Sequence, residues 1–421
     1  MLAINSMVVL TCLAAAFAVR YANHKANQIS RVVIDHGVSA PIITTSIETV
    51  ASSGAHDSVA PAGVPAGSGK SLNFLVVGSD TRKCIDPSSD RAKRFLDGRD
   101  TGEQSDTIMV LRVDPSAGQA AILSFPRDLL VKIVGTNRSN KINSAFAGGD
   151  VNRLVQTLEL NFQIPIDHFV EVDFCAFKNL VDAVGGIKVP FAYPTRDDHT
   201  GLWVPEAGCV AFDGWAGLDY ARSRYYQWST DGGKHWLSDG SSDRGRIRRQ
   251  QDFIKRVLQK AIDRGARDPK VAAKLLNAAI QWVKIDSELK VSELLDVAQQ
   301  LRAFDPNTVR TFRIDGPDAT VGDQSVIKPN LDDVTTKKIL AVFRGEARLA
   351  DAPKQEDPAN GASGPAGGPT TSAAVTARSA AAAATTQAPS TAAPASPTTT
   401  AVIEVSQEAV GYAPADDPTC R

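Results

Sequence analysis

The acids and arginines of this chain fall at spacings that suit the binding and transfer of a phosphate group. Asp80, in "GSDTR", directly follows an apolar run, and Asp106, in "QSDTIMVLRVD", directly precedes another. Two acids on neighbouring strands can hold one Mg2+, which keeps several waters and takes phosphate oxygens as further ligands; Mn2+ is the alternative ion. Arg82, two residues past Asp80, and Arg127, in "SFPRD", add guanidinium forks at strand ends. Six more arginines lie between Tyr220 and Gln251. Arg222 and Arg224 are two apart, so on an extended segment they point to one side. Arg246, Arg249 and Gln250 stand at i, i+3 and i+4 of a helical pattern and share a face. Asp243 opens that helix as an N-cap or first-turn acid. Guanidinium forks beside the positive end of a helix dipole make an anion site. Arg244 and Arg248 fall off that face and are expected to be solvated. The stretch 225–240 reads as an inserted loop that could bring the two arginine pairs together across a cleft.

Other chemistries find less support. His24, His36, His56, His168, His199 and His235 are scattered, with no GxSxG or HExxH, and His168 reads as the start of a strand. "GVPAGSGKS" is not a P-loop, because the position of its first glycine is Val64 and Lys70 precedes the strand instead of following one. The chain carries a net charge of −1. Within Tyr220 to Gln251, six Arg and Lys234 against Asp231, Asp239 and Asp243 leave about +4. That charge can hold a few phosphates but is thin for tracking a polyanion, so no nucleic-acid partner is expected. Acids and arginines without a nucleophile point to phosphoryl transfer, in which positioning and charge neutralisation supply most of the catalysis. A plain arginine-rich surface and ordinary Gly-Ser-Asp turn chemistry stay open on these residues alone.

The elements that must position these groups alternate. Phe74–Val77 is a continuous apolar run, as in a strand covered on both faces. Further strands are expected at Thr107–Val113, Ala120–Phe125, His168–Val172, Ile187–Val189 and Val309–Ile314. Helical patterns cover Val151–Asn161, Phe174–Ala183, Arg246–Asp263, Val271–Val283, Val291–Arg302 and Leu331–Phe343. Alternating strands and helices predict an α/β sandwich around one mixed sheet.

The chain of 421 residues divides into an N-terminal segment at 1–20, a linker at 21–70, a catalytic domain at 71–350 and a tail at 351–421. Met1 to Val19 carries no charged side chain, which fits a transmembrane anchor, or a signal peptide cleaved after Ala18. The basic residues expected ahead of such a segment are missing, which points to a translation start further upstream. The tail is rich in Ala, Thr, Pro and Ser and cannot offset its ordering entropy, so it reads as disordered, a spacer through a cell wall. Four cysteines beyond Cys12 in an exported chain allow two disulfides in three connectivities. Cys84 is the expected partner of Cys420, tying the end of the tail back to the domain.

In this order the blocks "NFLVVGSDTR", "SDTIMVLRVDP", "SFPRDLLV", "KINSAFAGGD", "IDHFVEVDFCAFKNLVDAVGGIKVP", "GCVAFDGWAGLDYARSRY" and "DRGRIRRQQDFIKRVL" resemble the LytR-CpsA-Psr family of cell-wall glycopolymer ligases. The long insertion after "ARSR" resembles the actinobacterial branch. The resemblance implies an α/β/α sandwich around a mixed central sheet, with an apolar groove for a prenyl chain. It implies a membrane-anchored, extracytoplasmic enzyme that moves a glycopolymer phosphate from polyprenyl pyrophosphate to peptidoglycan. The acceptor is usually the 6-OH of N-acetylmuramic acid, and polyprenyl phosphate leaves. Asp80 and Asp106 would be the metal ligands and catalytic acids, with Arg127 also catalytic. Arg82, Arg127, Arg222, Arg224, Arg246, Arg249 and Gln250 would hold the pyrophosphate. Cys175 and Cys209 would form a disulfide. The chain departs from the family at Gln104, where Arg is common; Arg99 is the candidate replacement. Two other classes fit the same residues, a polyprenyl-pyrophosphate glycan hydrolase and a non-catalytic wall or lipid-carrier binding regulator.

Overall fold

The computed structural model describes residues 28–36, 70–81, 84–85, 88, 105–265, 268–290, 293, 308–355 and 420. The N-terminal apolar segment, Arg82, Arg99, Gln104, nearly all of Val291–Arg302 and residues 356–419 of the tail lie outside them. Among the described residues, no helix is long and apolar enough to cross a membrane.

Seven strands form one mixed sheet in the order β1 (Ser30–Val32), β14 (Val283–Asp286), β7 (His168–Val172), β2 (Leu72–Ser79), β3 (Ser105–Asp114), β4 (Gln119–Phe125) and β15 (Arg310–Arg313). β2 runs parallel to β7 and antiparallel to β3. Side chains alternate across the pleat. Leu75, Val77, Val110 and Leu123 enter one core with Leu154 and Leu158 of α1 (Val151–Phe162) and Ile339 and Phe343 of α6 (Val334–Arg344). On the other face, Phe74 and Val113 pack with Ala176 of α2 (Phe174–Ala183) and, less deeply buried, Leu276 of α5 (Pro269–Trp282). Met109 and Ile122 on that face meet Ile254 and Leu258 of α4 (Asp243–Gly265). A sixth helix, α3, spans Gly214–Arg222. Aspartates start these helices by accepting first-turn amides: Asp150, Asp173, Asp213, Asp268 and Asp333 cap α1, α2, α3, α5 and α6.

Three expectations are corrected. Arg222 is not extended but ends α3, a helix capped by Asp213 and built on the buried Leu218, Tyr220 and Ala221. Val283 does not continue α5: with Ile285 it alternates into β14, as β-branched residues do. Within the expected linker, Ser30–Val32 adds the edge strand β1, held by Arg31 Nη1 donating to the carbonyls of Asp286 and Leu289 at 3.1 and 2.9 Å.

The cysteine pairing also differs. Cys84 bonds Cys175, and Cys209 bonds Cys420, in place of Cys175–Cys209 and Cys84–Cys420. Cys175 is fully buried in the first turn of α2 and meets the segment after β2, with 5.7 Å between Cα atoms. Cys209 sits on the exposed strand β11 (Gly208–Phe212) and is bonded there to Cys420. β11 pairs with β8 (Ile187–Phe191), while β5 (Leu130–Lys132) and β6 (Ser139–Lys141) form a separate pair.

Candidate active site

The site begins at a defect in the sheet. The β2–β3 register passes from Gly78 opposite Thr107 to Ser79 opposite Ser105, which leaves Asp106 as the extra residue of a β-bulge. A bulge bends its strand and re-aims a side chain. Glycine suits the close approach, because a Cβ at Gly78 would lie 2.9 Å from that of Thr107. Asp80 directly follows β2 and is half-buried. Asp173 leaves the parallel neighbour β7, whose Val172 pairs with Gly78. Three acids therefore gather at one end of adjacent strands. Thr81 Oγ1 donates to Asp173 Oδ2 at 3.1 Å, and desolvation raises the pKa of this carboxyl from its ordinary value.

Cations surround Asp106. Arg127 Nη1 donates to Asp106 Oδ1 at 2.7 Å, Arg246 Nη1 stands 3.9 Å from the same oxygen, and Arg246 Nη2 donates to the Asp106 carbonyl at 2.9 Å. Burial works against the charged carboxylate, yet Arg246 and Arg127 outweigh it and hold Asp106 below its ordinary pKa. Asp243 Oδ1 lies 2.6 Å from Arg246 Nη2 and 3.5 Å from Arg224 Nε. Asp128 bridges Lys141 at 2.7 Å, Arg127 at 3.6 Å and Arg224 at 4.0 Å. Arg127, Lys141, Arg224 and Arg246 thus interleave with Asp106, Asp128 and Asp243, one positive charge in excess. Burial and the cations of Arg127 and Arg246 lower the Arg224 guanidinium pKa, with Asp243 and Asp128 opposing them.

Behind this cluster a cavity of ≈ 400 Å³ runs between the sheet and the helices. Asp106, Thr107, Arg222, Arg246 and Gln250 on its wall belong to the strand-end cluster. Val76, Met109, Ile122, Leu180, Ile254 and Leu275 typify the rest. Gln250 Nε2 donates to Thr107 Oγ1 at 3.0 Å and to the Ala221 carbonyl at 3.1 Å, joining α4 to both β3 and α3. The Arg222 guanidinium lies 4.8 Å from the centre of the Phe174 ring.

Asp80, Asp106, Arg127, Arg222, Arg224, Arg246 and Gln250 all belong to this end of the fold; Arg82 lies outside the described residues. Arg249 does not join them. It is fully buried, donating to the Ser223 carbonyl at 2.7 Å and to Asp239 Oδ2 at 3.1 Å beneath the Tyr226 ring, so it braces α4 against the inserted loop. Arg244 is not simply solvated: it bonds Asp315 Oδ1 and the Gly316 carbonyl, each at 3.0 Å. Asp128, Lys141 and Asp173 were not singled out from the sequence. Asp128 stood beside Arg127 in "SFPRD", and Asp173 carried the signal of a helix cap. Among the described residues, no group of three or more His, Cys, Asp or Glu could hold a metal ion.

The site thus joins a charged cluster at strand ends to a mostly apolar cavity within an α/β fold. The LytR_cpsA_psr family profile matches residues 42–339, and the chain belongs to that family. It is 36% identical over 194 residues to the probable cell wall biosynthesis protein LcpB of Corynebacterium glutamicum, covering 46% of this chain and 42% of that one. It is 30% identical over 244 residues to the polyisoprenyl-teichoic acid–peptidoglycan teichoic acid transferase TagV of Bacillus subtilis, covering 56% and 58%. The matched region thus spans about half the length of these relatives. The fold resembles that of a LytR-Csp2A-Psr enzyme from Actinomyces oris, with a TM-score of 0.51, 20% identity and coverage of 66% of this chain and 90% of that one.

Proposed function

We propose that the chain transfers a glycopolymer phosphate from a polyprenyl-pyrophosphate carrier to a peptidoglycan hydroxyl, the 6-OH of N-acetylmuramic acid, at the outer face of the membrane. The observation that carries this reading is the join between the arginine cluster and the apolar cavity, which matches a pyrophosphate attached to a prenyl chain. Family membership and the likeness to a relative named as a teichoic acid transferase support the same class of reaction. The two disulfides fit an oxidising, extracytoplasmic compartment, and the N-terminal apolar segment would be the anchor.

Arg127, Arg224 and Arg246 repel one another across the cluster, and a pyrophosphate between them relieves that repulsion while gaining charge-assisted hydrogen bonds. Arg222, on the cavity wall beside the Phe174 ring, extends the same grip, and Arg82, two residues past Asp80 in sequence, would add a further guanidinium. Asp80 and Asp106 stand at adjacent strand ends, a donor set that fits Mg2+ completed by phosphate oxygens and waters. When bound, the ion would neutralise charge on the pyrophosphate. The acceptor hydroxyl attacks the sugar-side phosphorus and releases its proton to water, the bond to the bridging oxygen breaks, and polyprenyl phosphate leaves with its charge held by the arginines. Asp106, kept ionised by its neighbours, is a poor proton acceptor and serves orientation and charge.

The test is incubation of the protein with a polyprenyl-pyrophosphate glycan, peptidoglycan fragments and Mg2+. A phosphodiester-linked product is expected, absent after chelation and much reduced in Asp106→Ala. No product, with wild type and Asp106→Ala alike, would sink the transferase reading. Glycan phosphate released without acceptor would make the protein a hydrolase instead.

A further inference from the structure

A small sheet orders β10 (Leu202–Val204), β9 (Thr195–Asp197), β12 (Gln227–Trp228) and β13 (Leu237–Ser238). Its register sets Trp203 opposite Arg196, Arg196 opposite Gln227, and Gln227 opposite Ser238. Residues directly opposite share a face, so these four side chains form one row. The other face carries Leu202, Val204 and Thr195, all buried, while Trp203 is 60% exposed. The row is bonded edge to edge: Arg196 Nε donates to Gln227 Oε1 at 2.8 Å, and Gln227 Nε2 donates to Ser238 Oγ at 3.1 Å. Trp236 completes it, with the Arg196 guanidinium 4.3 Å from its ring centre and the Trp203 ring centre 6.0 Å away. Two indoles, a guanidinium and a carboxamide present flat faces rimmed with hydrogen-bonding groups.

We propose that this face binds the acceptor glycan, a β-linked amino-sugar strand of peptidoglycan; the proposal rests on the transferase reading above. Pyranose rings offer flat C–H faces that stack on indoles, and edge hydroxyl and acetamido groups that pair with Arg and Gln. Carboxylates of the lactyl and peptide groups complement Arg196. A membrane patch is the weaker fit, because a bonded polar row at strand centres is costly to bury in hydrocarbon. The strand that carries this face is also tied to the arginine cluster. The fully buried Asp197, next to Arg196 on β9, accepts through Oδ2 from Ser223 Oγ at 2.7 Å, Arg224 N at 3.0 Å and Tyr225 N at 2.9 Å. One carboxylate therefore ties the strand bearing Arg196 to the backbone that carries the Arg224 guanidinium.

The test titrates the full-length protein in detergent with a tetrasaccharide of alternating N-acetylglucosamine and N-acetylmuramic acid, by calorimetry. Trp203→Ala should weaken binding about five- to tenfold, and Trp203→Phe should retain most of it. The acceptor KM should rise by the same factor, with the lipid-donor KM and melting temperature near wild type. No binding by wild type, or equal affinity in Trp203→Ala, overturns the proposal. Quenching of tryptophan fluorescence by brominated-lipid vesicles that disappears in Trp203→Ala overturns it in favour of a membrane patch. Trp203-dependent binding without any transfer would remove the transferase reading and leave the glycan face. Transfer with binding indifferent to Trp203 would do the reverse.

Discussion

Arg127 Nη1 and Asp106 Oδ1 stand 2.7 Å apart because antiparallel pairing of β3 and β4 sets Ile108 opposite Phe125, which carries the next two residues of each strand towards one another. The pair holds Asp106 ionised, and it keeps the guanidinium at the strand ends where a phosphate would enter. Arg127→Ala should lower kcat/KM for transfer by about 10²–10³-fold, the usual loss for a charge-stabilising donor. Arg127→Lys should recover only part, because a point charge lacks the planar fork. Steady-state kinetics with a polyprenyl-pyrophosphate glycan measure both.

The cavity predicts a chain-length effect. Ile254 lies on its wall beside Met109 and Ile122, against which it packs. Ile254→Trp should fill part of it and raise the KM for a long-chain prenyl donor about tenfold, while a donor with a two-isoprene chain changes little. Equal effects on both donors would place the lipid elsewhere.

Disulfide mapping by mass spectrometry under non-reducing digestion should return peptides linking Cys84 to Cys175 and Cys209 to Cys420. The first bond closes a loop with a sequence separation of 91. Cys84→Ala with Cys175→Ala should therefore lower unfolding free energy by about 2–4 kcal/mol, read from denaturant titration.

His168 and Asp286 make stability depend on pH. His168 Nδ1 lies 3.2 Å from Asp286 Oδ2, and its Nε2 lies 3.5 Å from Glu293 Oε2. Burial disfavours the charged ring, but Asp286 and Glu293 outweigh it and raise its pKa. That stabilisation is fully present below the ordinary histidine pKa of 6.5 and is lost as pH rises through the raised folded value. Asp286 is also disfavoured by burial but lowered by its bonds from His168, Phe169 N and Leu289 N. Its contribution is present above 3.8 and lost as pH falls through the lowered folded value. Thermal melts across pH should show a plateau between these limits and a decline on both sides. His168→Gln should flatten the decline at high pH.

Much of the fold was legible along the chain. Strand His168–Val172 and helix Phe174–Ala183 fall where alternation and helical spacing put them. The acids beside β2 and β3 were visible for the same reason, since each touches an apolar run that can only be a buried strand. Arg222 was harder, because "LDYARSR" has too few apolar positions to separate a short helix from an extended segment. Arg249 misled because i, i+3 spacing places two side chains on one face of a helix but says nothing about what lies above each. Arg246 meets Asp106, whereas Arg249 meets Ser223 and Asp239.

Local patterning alone determined the alternating elements and the identity of most charged groups at the strand ends, because periodicity depends on neighbours within a few residues. Only the tertiary structure decided which cysteines pair, and that Asp106 is the bulged residue between Arg127 and Arg246. It also decided that Arg196, Gln227 and Trp203 form one row on one face of a sheet. Each of these depends on strand register or on contacts between segments tens of residues or more apart in sequence, which no local pattern encodes.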